Sequence, residues 1–211
     1  MHARDEEQTT PPAPAPRDMP KEAINALPVK AFEGPVHVVD DPRLLGEAVR
    51  RMRRDRVLGF DTETRPAFQR GQFYLPALLQ MASRDSAWLF HLRRLEYPNA
   101  LWDVLADEAL LKVGVSIAYD VKQLQLLSPF EPAGFMDLTD LSAPLGFKSA
   151  GLRNLSANLL GFRISKGPKT SNWEREPLTE AQVTYAATDA WVGRELYLKL
   201  RELERQAVLR A

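Results

Sequence analysis

Five side chains in three separated segments have the types and spacing of a hydrolytic metal site: Asp61 and Glu63 in VLGFDTET, Asp120 in KVGVSIAYD, and Tyr185 with Asp189 in YAATDA. Each segment lies at the end of an apolar run, so a single sheet could bring all three to one edge. Carboxylate oxygens are hard, anionic and able to bridge, which suits Mg²⁺ or Mn²⁺. Two such cations a few ångströms apart can activate a water and clamp a phosphate during an in-line displacement. The expected chemistry is phosphodiester hydrolysis of the nuclease type.

The spacing carries the argument further. On a strand, residues two apart share a face, so Asp61 and Glu63 point one way while Phe60 and Thr62 point the other. On a helix, Tyr185 and Asp189 are four apart and stack on one face, with Ala186 and Ala187 leaving room beside them. Taken singly, each has a plainer reading: Asp61 and Glu63 as solvated acids at a strand edge, Asp120 as a helix cap, Tyr185 as a packed ring beside an exposed Asp189. Their order and context together favour the site.

The bulk composition narrows the alternatives. With 211 residues, 45% of them hydrophobic, the chain can bury one sizeable core. Lys+Arg and Asp+Glu balance at 28 each, so no bulk field draws a polyanion and any nucleic acid must be held by a local patch. Cys is absent, which excludes disulfides and thiolate metal sites and fits a reducing cytoplasm, the expected location. His2, His37 and His91 are too scattered for a zinc cluster, leaving oxygen ligands. No secretory signal and no membrane span is expected, because no apolar run approaches the roughly 20 residues a span needs.

The elements that must position the five side chains follow from periodicity and punctuation. The Pro-rich opening reads as a flexible tail over residues 1–30, an inert extension rather than a partner-binding arm, followed by one domain over 31–211. VHVV from Val36 predicts a strand, and DDPRLLGEAVRRMRRD a helix with Asp41 as N-cap and Pro42 at the first helical position. VLGFDTE, LLQMAS and AWLFHL predict three strands, with TRPAFQRGQFYLP as a connection. A helix around PNALWDVLAD leads to the buried strand KVGVS, and DVKQLQLL resumes helical spacing, so Asp120 sits where a strand ends and a helix begins. FMDLTDLSAPLGF shows no periodicity that predicts an element. GLRNLSANLLG predicts a helix closed by Gly161, then comes the basic loop FRISKGPKTSNWERE, and a final helix capped by Thr179 runs to about Leu203. Strands first, with helices interleaved, make an α/β or α+β domain.

The combination resembles the DEDD exonuclease superfamily in its tyrosine-bearing branch. The resemblance places its first motif at Phe60-Asp61-Thr62-Glu63-Thr64, its second at Gly114 to Asp120 and its third at Tyr185 to Asp189. Leu79-Gln80-Met81, Leu138-Thr139-Asp140, Ser171-Asn172-Trp173 and Pro177-Leu178-Thr179 are further similar to Werner-type exonuclease domains, so the likeness runs roughly from Val36 to Leu203. The sister branch carries a His five residues before the last Asp, where this chain has Thr184. Tyr119 differs from the small residue usual in Werner-type domains. The resemblance implies an α/β, ribonuclease-H-like fold with a central mixed β-sheet flanked by α-helices, and a metal-dependent 3′-5′ exonuclease that releases nucleoside 5′-monophosphates from the 3′ ends of DNA or RNA. It implies two divalent cations, Mg²⁺ or Mn²⁺. Asp61 would bridge both, Glu63 and Asp189 would complete the tighter site, and Asp120 would hold the second largely through water. Tyr185 would orient the attacking water as a neutral phenol.

Substrate contacts are expected from a basic stretch between Phe147 and Arg175, in which Glu174 is the only acid, with Arg163, Lys166 and Lys169 as the phosphate-tracking residues. Phe73 and Tyr74, just beyond the first catalytic strand, are read as wedging against terminal bases. Trp173 is read as packing the loop against the core, with base stacking as its alternative. The arginines at positions 50, 51, 53, 54 and 56 spread around a helix and read as solvated. DNA is the favoured substrate. The alternatives are trimming of RNA 3′ ends in the manner of ribonuclease D, and a non-catalytic nucleic-acid-binding scaffold. A helicase partner could supply duplex opening.

Overall fold

The structure, a computed structural model, describes residues 18–149, 151–168 and 170–209. Its first stretch corrects the expectation of a flexible tail over residues 1–30. Residues 1–17 lie outside the described residues, but 18–30 belong to the fold. Helix α1 (Lys21–Ala26) buries Ile24. Beyond it, Lys30 N–H donates to Arg163 O and Arg163 N–H donates to Pro28 O, each at 3.0 Å. The proline content suggested disorder, yet a proline carbonyl still accepts, and the surface that orders this segment exists only once distant elements have assembled.

From Val36 the elements largely follow the predicted punctuation. Strand β1 (Val36–Val39) leads to helix α2 (Pro42–Met52), where the Asp41 carboxylate accepts from Arg43 N–H at 2.8 Å and Pro42 occupies a position needing no donor. Strands β2 (Val57–Thr64), β3 (Pro76–Ala82) and β4 (Ala87–His91) come next, then helix α3 (Asn99–Leu105), strand β5 (Leu111–Gly114) and helix α4 (Ala118–Leu127). The stretch that carried no assignment forms the short strand β6 (Phe135–Asp137) and helix α5 (Leu138–Ser142). Helix α6 (Leu152–Leu160) ends at Gly161 with φ 73°, a left-handed conformation that glycine adopts without a steric penalty. Helix α7 (Glu180–Val208) opens with a full capping box between Thr179 and Gln182.

The six strands form one mixed sheet in the order β1-β4-β3-β2-β5-β6. β3 runs antiparallel to both its neighbours, while β1 with β4, β2 with β5, and β5 with β6 pair parallel. Each parallel step within the β2-β5-β6 half is bridged by a helix, α3 then α4, as parallel pairing requires. One face carries Leu58, Phe60, Leu79 and Met81 into a core shared with α2, α3 and α4. The other face is crossed by α7, the longest helix among the described residues. The approach is close because the facing residues are small: a Cβ built on Gly59 would lie 1.7 Å from Ala190 O, and Gly193 sits over the Val113 carbonyl. This contact sets where the third acidic segment lies relative to the first.

Candidate active site

The crossing of α7 over β2 assembles the site. With Gly59 beneath Ala190, the next outward residue of β2 on that face is Asp61, and Asp189 precedes Ala190 on the helix. Asp61, Glu63, Tyr185 and Asp189 accordingly line one cleft of about 620 Å³, together with Thr62, Lys166 and the start of α6. Asp189 is only 5% exposed, whereas Asp61 and Glu63 are half-buried. Asp61 Oδ1 also accepts from Thr62 N–H at 2.9 Å, which fixes one edge of its carboxylate.

Tyr185 stands among these acids. Its phenol lies beside the Asp189 carboxylate, and burial, followed by the charges of Asp189, Glu63 and Asp61, pushes it well above the ordinary tyrosine range. The neutral phenol expected from the sequence is therefore also what this environment favours. Its ring is 6.0 Å from Trp173, which is fully buried and packs the loop against the core, as preferred from the sequence.

Asp120 is placed differently. It is not among the cleft-lining side chains, and its Oδ1 accepts the Thr62 hydroxyl at 2.5 Å, from the face of β2 that the alternation assigned to Phe60 and Thr62. Burial raises its carboxyl above the usual range, the Thr62 hydrogen bond opposes this, and the charge of Asp137 adds to it. Thr62 thus links Asp120 to the cleft, a role the sequence reading missed. Asp137 was missed too: its Oδ1 accepts from Ser116 N–H and Thr139 N–H, and its Oδ2 from Ile117 N–H, at 2.9 to 3.0 Å. It holds the turn at Ser116, where φ is 57°, and so aims the start of α4. The available signal was an Asp immediately before a helical run, which reads as a cap and nothing more.

The expected substrate contacts are dispersed. Lys166 lines the cleft and is exposed. Arg163 does not line it; its Nε donates to Leu27 O at 3.0 Å, tying the loop to the N-terminal segment. Lys169 lies outside the described residues. Phe73 is 57% exposed in the connection after β2, and the Arg65 guanidinium lies over the Tyr74 ring at 5.0 Å.

Among the described residues no group of three or more His, Asp or Glu side chains is drawn together closely enough to hold a metal ion as it stands. The donor chemistry nonetheless fits hard divalent cations. Three carboxylates and a phenol share one cleft, where a cation would relieve their mutual repulsion.

Comparisons with known proteins bear on the family and the fold. The family model described as 3′-5′ exonuclease matches residues 36–204. The chain is 34% identical over 190 residues to the bifunctional 3′-5′ exonuclease/ATP-dependent helicase WRN of Mus musculus, covering 84% of this chain and 13% of that protein. It is 33% identical over 183 residues to ribonuclease D of Gluconacetobacter diazotrophicus, covering 84% of this chain and 45% of that protein. The chain therefore spans less than half the length of either relative. Among solved structures, the exonuclease domain of Aedes aegypti Nibbler superposes with a TM-score of 0.75 at 22% identity, covering 86% of this chain and 94% of that one, a likeness of fold.

Proposed function

The chain belongs to the 3′-5′ exonuclease family, and on that premise we propose that its cleft hydrolyses the terminal phosphodiester at a nucleic-acid 3′ end, using two divalent cations, Mg²⁺ or Mn²⁺. The observation that carries the reading is the convergence of Asp61, Glu63, Asp189 and Tyr185 in one cleft. Asp61, Glu63 and Asp189 would hold the cations, with Asp120 joining through the Thr62 side. When bound, these supply the positive charge that polarises the phosphoryl group and acidifies water.

The protein's own groups do the rest. The Tyr185 hydroxyl, neutral and beside Asp189, orients the attacking water towards phosphorus. The water oxygen forms the new P–O bond as the bond to the 3′ oxygen of the penultimate nucleotide breaks. The products are a nucleoside 5′-monophosphate and a strand shorter by one. Lys166 pairs with a backbone phosphate at the cleft, and Phe73 offers an exposed ring to a base.

DNA is the proposed substrate, supported by 30% identity over 159 residues to a DNA polymerase I of Aquifex aeolicus. Trimming of RNA is the second reading, and it is favoured by nearly equal identity to a ribonuclease D. A separate helicase partner and a cytoplasmic location complete the proposal. The former is suggested by the helicase in the WRN relative's name, the latter by the absence of Cys. No helix among the described residues is long and apolar enough to cross a membrane.

The test is digestion of matched 5′-labelled DNA and RNA strands, single and duplex, with Mg²⁺, Mn²⁺ or EDTA, comparing wild type with Asp61→Ala and Asp189→Ala. A descending ladder that needs metal and disappears in both variants is expected. A folded protein that yields no ladder on any strand would move the reading to a binding scaffold.

A further inference from the structure

We propose that Gln80 is a positioning residue for Asp61, a role that rests on reading the cleft as a cation-holding site. Gln80 is the central residue of β3 on the face crossed by α7, and it is completely buried. Neither its Oε1 nor its Nε2 has a hydrogen-bond partner among the described residues. In the antiparallel pairing Gln80 stands directly opposite Asp61, and on its other side directly opposite Leu89. Directly opposed residues on one face bring their Cβ atoms within about 5.5 Å of each other. Of the two, only Asp61 can accept a hydrogen bond.

Along β3 the neighbours on this face are apolar, and across β4 the diagonal neighbour is His91, buried and with both ring nitrogens likewise unpartnered among the described residues. Leu78 and Ala82 flank Gln80 on β3 and pack into the apolar clusters that hold Ala186, Ala187 and Ala190 of α7. Burying an amide in such a place is unfavourable unless it is hydrogen-bonded. A leucine there would pack as well, so the amide contributes something packing does not. The Asp61 carboxylate is already held on one edge by Thr62 N–H. Gln80 makes no hydrogen bond to Asp61 in this structure; a rotation of its side chain would bring Nε2 to the carboxylate as a further donor and fix its plane, so that the oxygens facing the cleft point at a cation without searching. Outer partners of this kind typically change metal affinity by about 10- to 100-fold.

The experiment is a calorimetric titration of Mn²⁺ alone into wild type and Gln80→Met, with a thermal melt of each without metal. Methionine fills a similar volume without the amide. Expected is an affinity roughly tenfold weaker in Gln80→Met, at the low end of that range, with a melting temperature no lower than wild type. Unchanged Mn²⁺ affinity, with or without a lower melting temperature, would overturn the proposal and leave Gln80 as packing. If wild type itself binds no Mn²⁺, the reading of the cleft fails first and the proposal falls with it. A second measurement needs no folded Gln80 variant. In ¹⁵N-labelled wild type the Gln80 side-chain amide signals should shift on adding Mg²⁺, and that shift should vanish in Asp61→Asn; signals that ignore Mg²⁺ would equally overturn the assignment.

Discussion

Tyr185 reaches the acidic cleft from a helix whose neighbouring residues are alanines, and its surroundings decide what it can do. Burial and three nearby carboxylates disfavour the phenolate, so these surroundings favour a positioning role for Tyr185 over proton abstraction. Tyr185→Phe should lower kcat by about 100-fold, the low end for a positioned proton-handling group, with KM nearly unchanged. The wild-type rate should show no ionisation near about pH 10 that the substitution abolishes. A limb there that disappears in Tyr185→Phe would mean a catalytic phenolate after all. A second ionisable residue lies far from this chemistry. Lys112 on β5 is fully buried, donates to Asp107 O at 2.7 Å and lies over the Phe135 ring at 5.0 Å. Burial lowers its pKa from 10.5 to about 8, with the charge of Asp107 opposing. Between those values the unfolded chain binds more protons than the folded one, so stability should rise as the pH climbs through that window. Urea melts across it should show the rise in wild type and not in Lys112→Met, which should be no less stable at neutral pH. A flat wild-type profile would show that the buried ammonium keeps its ordinary affinity for protons.

At the scale of elements, α7 on β2 is the contact that makes the site. The Gly59 to Ala190 approach leaves no room for a methyl group, and what it would meet is backbone, which cannot rotate away. Gly59→Ala should cost about 3 kcal/mol of stability or more and should depress activity further, because Asp189 is carried on the displaced turn. Gly46 in α2 is the control: nothing lies within 4 Å of its added Cβ, so Gly46→Ala should stabilise by about 1 kcal/mol without touching activity. Denaturant midpoints and initial rates of the two variants check this; equal effects would mean that helix propensity, not the crossing, dominates. The same contact shows what could be read in advance. Asp61 with Glu63, and Tyr185 with Asp189, were legible because each pair lies on one element, where the period dictates the face. The cap at Thr179 and the glycine closing α6 were legible because capping is local chemistry. Asp120 was placed at the correct junction, but its tie to the Thr62 hydroxyl joins residues 58 positions apart and has no local signature. The three residues of β6 were missed for a related reason: a strand that short shows no alternation and exists because β5 offers it an edge.

Across the whole molecule, the described segment ahead of β1 acts as a strap over the elements that carry the site. The family model begins at residue 36, so the strap lies outside the matched part. Asp18 Oδ2 accepts from Lys148 N–H and Ser149 N–H, and Arg153 donates both to Asn25 Oδ1 and to Ile164 O. Phe32 N–H donates to the Thr188 hydroxyl at 3.0 Å, one residue from Asp189, and the Phe32 ring lies 5.9 Å from Trp191. Val29, Lys30 and Ala31 also wall a cavity of about 430 Å³ whose far side is Tyr185 and Asp189. The strap therefore holds the loop that presents Lys166 and closes the space behind the tyrosine. A chain beginning at residue 35 loses the burial of Ile24 and the partial burial of Phe32, together worth about 2 to 4 kcal/mol. All five candidate site residues remain. Its melting temperature should fall by roughly 5 to 15 °C, and KM should rise several-fold while kcat changes less, because the loop loses its anchor but the carboxylates keep theirs. Steady-state rates on a short labelled strand, measured below both melting temperatures, separate the two parameters. Equal KM in the two chains would show that the loop holds its position through α7 alone, by Gln182 Nε2 bonded to Ser171 Oγ and Asn172 O.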